Sequence, residues 1–293
     1  MGVVLSEAEW TARAQAHTTR VRAWTGPHHE RRKAGVKHPV LDFLFSYYSH
    51  RPSRMERWHP GPGVVLEGEQ ALSYLRWPVY RRVAEGVELD VAAFARDRAS
   101  TIAFVHRLLT ATASRTPRLG CFGLHEWAMV YRQRPEEVRH NAYPLRLGPA
   151  GTDAVVETQK VQCSHFDAFR FFTPEARPLN VLRPVRETQV ELEQPGCLHV
   201  GMDSFKWAYK LDPATPSELV ADCFEFAARV RELDMRASPY DLSALGYPPV
   251  PIETPEGRDD YVRRQSAFAA EAAPLRTALI ELTRTFLPAP TIL

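Results

Sequence analysis

The chain has 293 residues, 44% of them hydrophobic and 25% charged, a balance that excludes a disordered segment and a small disulfide-stapled scaffold. The length permits one large domain or two intimate ones. Net charge is only +2, but residues 1–58 carry 10 Lys/Arg against 5 Asp/Glu and residues 212–293 carry 8 against 13, an asymmetry that hints at a polyanionic partner near the N-terminal part.

Ser6 and Glu9 make a capping box, and the Ala-, Arg- and Gln-rich segment after them predicts a first helix to about Trp24, ended by Gly26-Pro27. A short helix over His28 to Ala34 and another over Pro39 to His50 follow, and the Pro- and Gly-rich run from Arg51 to Gly63 predicts a rigid loop that presents Trp58 and His59. Helical spacing of Val91, Phe94, Ile102, Val105 and Leu109 predicts a long helix from Asp90 to Ser114, and a shorter one spans Leu124 to Arg132. Residues 143–163, with Gly148-Pro149-Ala150-Gly151 between two apolar runs, predict a β-hairpin insert. Helices return at Cys197 to Leu211, at Ser217 to Met235 and, with a kink at Pro274, at Arg258 to Phe286. Between the last two, the prolines from Pro239 to Pro255 predict an extended strap. The expected fold is a single, mainly α domain with a small β-hairpin, an Arg-, His- and aromatic-rich N-terminal part over 1–63 and acidic C-terminal helices over 215–286.

Cys121, Cys163, Cys197 and Cys223 are too far apart for a C-x-x-C motif and read as buried free thiols. The polar, acidic N-terminus and the lack of an apolar run long enough for a membrane span make a cytoplasmic protein with no membrane partner the expectation.

Two segments carry candidate chemistry. On the helix from Cys197, His199, Asp203, Lys206 and Lys210 form a polar stripe beside an apolar one of Leu198, Met202, Phe205 and Tyr209. The stripe lines a cleft or is a solvated face. In Ser164 to Phe172, His165 and Asp167 project to one side if the segment opens as a strand, which gives the H-x-D half of a two-His-one-carboxylate site with His199 as third ligand. Iron or another divalent metal is the cofactor such a set would hold, and a small molecule the substrate. Glu126, after His125, reads as a first-turn carboxylate favoured by the helix dipole, and H-E-x-x-H is absent because position 129 is Met. His28 to Lys33, with Tyr47, Tyr48, Arg51, Arg54 and Trp58, interleaves cations and aromatics in a way that suits a polyanion with stackable bases or, equally, a charged helix face beside core aromatics.

Four stretches, His38 to Pro52, Trp58 to Gly63, Ser164 to Phe172, and Gln194 to His199 with Lys206-Trp-Ala-Tyr-Lys210, resemble a largely actinobacterial family whose members are commonly labelled 3-methyladenine DNA glycosylase. That resemblance implies DNA as partner and hydrolysis of an alkylated purine after base extrusion, with no cofactor. It makes Asp167 or Asp203 the carboxylate near the sugar, assisted by His165 and His199, and Lys206 a possible Schiff-base nucleophile. Tyr47, Tyr48, Trp58 and Trp207 become the base stackers, and Arg31, Arg32, Lys33, Arg51 and Arg54 the phosphate contacts. A non-enzymatic helical binding module is the third expectation.

Overall fold

A computed structural model describes residues 2–138 and 140–288. The chain is mainly helical, as expected. Its helices are α1 (Glu7–Lys33), α2 (Phe43–Tyr47), α3 (Pro52–Met55), α4 (Val91–Asp97), α5 (Ala99–Ala113), α6 (Leu124–Ala128), α7 (Gly148–Thr158), α8 (Phe166–Phe169), α9 (Gln189–Leu192), α10 (Leu198–Lys210), α11 (Ser217–Arg236) and α12 (Pro255–Arg284). Strands β1 (Val3–Leu5), β2 (Val64–Leu66), β3 (Tyr80–Val83) and β4 (Gly86–Leu89) complete it. No helix among the described residues is long and apolar enough to cross a membrane. The chain divides into two compact units, one made of everything up to Leu109 with Ser204–Glu225 and the chain from Leu275, the other of Thr110–Asp203 with Phe226–Pro274.

In the first unit the strands form one sheet in the order β1-β2-β4-β3, with β1 and β2 parallel and the other pairs antiparallel. Among the described residues the β-hairpin is β3–β4, not residues 143–163. It needs Gly86, because a Cβ there would lie 2.0 Å from the Leu66 carbonyl oxygen. The Ser6/Glu9 capping box opens α1 as expected, with Glu9 accepting from the Ser6 amide at 2.9 Å. The helix does not stop at Gly26-Pro27. It buries Trp10, His17, Val21 and Thr25, and beyond the proline Arg31 and His28 bond Asp42 at 2.6 and 2.8 Å, so tertiary contacts on both sides outweigh the hydrogen bond that Pro27 removes. The expected helix over Pro39 to His50 is cut down to α2.

The loop after α3 buries its aromatics where exposure was expected. Trp58 donates to Glu218 at 2.9 Å, and His59 meets the Tyr80 hydroxyl at 3.0 Å inside a cage with Tyr74 and Trp77. Burial, with Arg57 and Arg76 nearby, pushes His59 down to about 3. Burial and Arg54 push His50, stacked on Tyr209 at 4.9 Å, down to about 4. The unfolded chain takes up these protons near the ordinary imidazole value, while the folded chain resists until far lower pH. Stability present above pH ~6.5 is therefore lost as pH falls, at about 1.4 kcal/mol per pH unit for each histidine. Chemical denaturation between pH 6.5 and 5 is expected to give a shallower decline for His50→Phe than for the unaltered chain, whereas parallel declines would mean that His50 already titrates normally in the fold.

In the second unit α7, over Gly148–Thr158, stands within residues 143–163 in place of the expected hairpin. Pro149 sits in the first turn, where its missing N–H costs nothing, and the Thr152 hydroxyl bonds the Gly148 carbonyl at 2.7 Å. The expected strap over 239–255 is held along its length. Arg146 donates its amide to the Pro239 carbonyl at 2.8 Å, Leu145 bridges Tyr240, and the Val250 amide bonds Arg236 at 2.7 Å. α12 runs without interruption past Pro274.

Candidate metal centre

Every residue of α6 is buried. The helix begins after two consecutive left-handed residues, Phe122 at φ 47° and Gly123 at φ 70°, the first of which is strained for a bulky side chain. Trp127 anchors it, donating to the Ala237 carbonyl at 2.8 Å with the Arg146 guanidinium 5.5 Å from its ring. The two residues before Trp127, His125 and Glu126, are thereby fixed in the interior.

The start of α10 is fixed as firmly. Gln194 accepts from the amides of Arg118 and Gly196 at 2.8 and 2.7 Å, and the buried Gln265 donates to the Gly196 carbonyl at 2.6 Å. One helical turn separates His199 from Asp203, so both face the same side. Gly201, between them, lets the Phe226 ring approach to 3.2 Å of where a Cβ would be.

Two groups of side chains form around this frame, each with its ligand atoms within 4.8 Å of one another. The first is His125, His199 and Asp234. His125 Nε2 lies 2.8 Å from Asp234 Oδ1, and His199 Nε2 lies 4.0 Å from Asp234 Oδ2. The two imidazoles stand edge to face at 4.3 Å. His125 Nε2 and Asp234 Oδ1 form a close buried pair, and neither atom has a further partner. Ligand atoms about 2.1 Å from one ion lie about 3 to 3.5 Å from each other, and the observed separations bracket that spacing. Asp234 Oδ2 is taken by Arg231 at 2.8 Å, and the same guanidinium nitrogen donates to Glu126 at 2.7 Å. The buried Arg231 thus orients the carboxylate and leaves Oδ1 facing His125, the arrangement that outer groups give a metal ligand. Glu126, Asp234 and Arg231 together carry one net negative charge, which a proton on His125 would cancel and a dication would turn into one net positive charge.

The charges act on the imidazoles in opposite directions. Burial works against protonation of His125, but the adjacent Asp234 carboxylate prevails and its affinity for a proton rises. Burial and the neighbouring His125 push His199 down to about 3, so it is a neutral nitrogen donor near neutral pH.

The second group is His165, Glu193 and Asp203. His165 caps α8 with Nδ1 accepting the Ala168 amide at 3.2 Å, so the ring proton sits on Nε2, which points to Asp203 at 3.2 Å and lies 3.7 Å from Glu193. An imidazole so engaged at Nδ1 has no lone pair at Nε2 for a metal. This hydrogen-bonded group is stacked against the first through His165 and His199, with ring centroids 5.4 Å apart.

His125 and His199 form part of the wall of a cavity of about 200 Å³, beside Cys121, Cys163 and Cys197. Burial raises all three thiols, Cys163 to about 12, and none of them belongs to the two groups of converging ligand atoms found among the described residues. Three protein ligands, two of them at a cavity wall, leave positions open for water or substrate.

Of the expected site residues, His165, His199 and Asp203 do come together. Asp167 does not join them. His165 precedes a helix turn, not a strand, and Asp167 turns to Arg170 at 3.4 Å. Lys206 belongs to the first unit, its ammonium 4.8 Å from the Trp207 ring. His125, Glu193 and Asp234 were missed. The signal for Asp234 was present: Cys223, Ala227, Val230 and position 234 continue one apolar stripe of α11, and a carboxylate in such a stripe needs a buried partner.

Of the residues expected to handle a nucleic acid, Asp167, Asp203, His165 and His199 lie in the second unit, and the stackers, the phosphate contacts and Lys206 lie in the first. Tyr48, Trp58 and Trp207 are buried there and Tyr47 is half-buried beside Phe43 at 5.0 Å, so none of the first three offers a free ring face to a base. Arg31 is committed to Asp42, while Arg32, Lys33, Arg51 and Arg54 are exposed. Comparison with models of known protein families, with curated proteins and with solved structures gives no match.

Proposed function

We propose that the chain is a metal-dependent enzyme acting on a small molecule, with a divalent ion held by His125, His199 and Asp234 at the inner wall of the cavity. The observation that carries this reading is the convergence of two imidazoles and a carboxylate, His125, His199 and Asp234, with ligand atoms within 4.8 Å of one another in the interior of the second unit. Two imidazoles, one carboxylate and open positions make the donor set of non-haem iron(II) sites, so iron is the first candidate ion. Arg231 and Glu126 hold the carboxylate in place, and His165 with Asp203 supplies a proton donor and acceptor one ring away. This ligand set keeps His199 of the expected three and exchanges His165 and Asp167 for His125 and Asp234.

Cobalt(II) reports on such a centre through its visible absorption. Metal-stripped protein titrated with Co²⁺ is expected to develop ligand-field bands that saturate near one equivalent and are absent in His125→Ala. Failure of those bands to appear in the unaltered chain would remove the metal from the account. The glycosylase chemistry implied by the family resemblance is checked on the same preparation with methylated duplex DNA, and base release that survives removal of the metal would replace this reading.

A further inference from the structure

The cavity that reaches the two imidazoles has a charge pattern of its own. Arg118 and Lys160 line it, and both side chains are exposed. Neither pairs with a carboxylate among the described residues, although other arginines of the same unit are committed, Arg146 to Glu253 at 2.7 Å and Arg229 to Glu271 at 2.7 Å. No Asp or Glu lines the cavity. Unneutralised cations at a recess without carboxylates attract an anion.

The backbone under Arg118 is fixed while its side chain is left unbound. Gln194 accepts from its amide at 2.8 Å and donates to its carbonyl at 3.2 Å, and Gly196 packs so tightly that a Cβ would lie 2.6 Å from that carbonyl oxygen. Gln162 is likewise spent on the wall, donating to the Gly120 carbonyl at 2.6 Å. The amides therefore shape the recess, and the two cations are what a ligand meets. Leu124, Val161, Val181 and Leu182 give the walls apolar surface. A volume of 200 Å³ matches about seven waters at ~30 Å³ each, which suits a compact molecule and is too little for a strand of nucleic acid.

We propose that the cavity binds a small organic anion, a carboxylate or a phosphate ester with an apolar body, whose charged group is held by Arg118 and Lys160 while its other end faces His125 and His199. As a statement about substrate this rests on the metal-centre reading; as a statement about binding it stands alone. Arg118 offers a planar two-pronged donor and Lys160 a mobile point charge, a pair that accepts either anion.

Calorimetric titration of the full chain with inorganic phosphate, with succinate and with neutral succinamide tests it, alongside Arg118→Gln/Lys160→Gln. At least one anion is expected to bind the unaltered chain, succinamide far less, and the double variant is expected to lose about tenfold or more in affinity, equivalent to one decade in Kd. Phosphate alone would point to a phosphate ester, succinate alone to a carboxylate. Both side chains are exposed, so the double variant is expected to fold, and unchanged circular dichroism checks this. Equal affinity of the double variant, equal binding of the amide, or binding of neither anion would overturn the proposal. Metal-free protein that still binds the anion, in a preparation that takes up no metal, would leave this proposal standing and sink the metal centre instead.

Discussion

Asp234→Asn is expected to lower divalent-metal affinity by more than about a hundredfold and to abolish turnover, because altering even an outer group of a metal site costs roughly ten- to a hundredfold and the proposed centre has Asp234 as a direct ligand. The asparagine keeps the shape and can still accept from Arg231 through its amide oxygen, but it then turns an uncharged NH2 toward His125. His199→Ala is expected to do the same by removing a nitrogen donor that burial holds neutral. Asp167→Asn is the informative control. Asp167 belonged to the ligand set expected from the H-x-D pattern, yet its ion pair is with Arg170. Metal retained in Asp167→Asn and lost in Asp234→Asn separates the two ligand sets; equal loss in both would restore the set based on H-x-D.

The second large effect concerns folding. Arg231 is 1% exposed and holds Glu126 and Asp234 through one nitrogen. Arg231→Met keeps most of the volume but leaves two buried carboxylates without their cation. Breaking a buried ion pair from one side costs about 3 to 5 kcal/mol, read as a drop in the denaturation midpoint. Two further measurements identify the cause. Adding Glu126→Gln to Arg231→Met is expected to recover part of the loss, and saturating metal is expected to recover more, since an ion that binds only the folded chain stabilises it. Stability of Arg231→Met within about 0.5 kcal/mol of the unaltered chain would mean the carboxylates are already neutral or solvated.

Long periodic segments were the most legible part of the fold. α10, α11 and α12 lie where the apolar stripes put them, and Asp90, accepting from the Ala93 amide at 2.9 Å, opens α4 at the expected residue. The expected single helix over 90–114 is divided at Arg98. The sheet was not legible because its strands have three or four residues, too few to show alternation. Gly148-Pro149 reads equally as a turn or as a helix start, and only the packing of Thr152, Val155 and Val156 decides for the helix.

The site was half legible for a related reason. His199 and Asp203 share a helix face, and helical spacing brings them together without any tertiary information. His125, Asp234 and Glu193 come from separate elements, and their convergence depends on tertiary packing: Trp127 seating α6, and Gly201 admitting Phe226 beside α10. Local spacing cannot encode that. Asp167 was misassigned because two-residue spacing puts side chains on one side of a strand, whereas His165 opens a helical turn in which Asp167 is carried away.

The most direct measurement is the metal content of untagged protein after anaerobic incubation with Fe²⁺, Mn²⁺ or Zn²⁺ and removal of the excess. One tightly held ion per chain is predicted, bound through His125, His199 and Asp234 and lost in Asp234→Asn, with the His165 group left empty because His165 Nδ1 accepts the Ala168 amide. Retention of a second ion that disappears in His165→Ala would contradict that assignment, and retention of none of the three metals by the folded chain would contradict the centre itself.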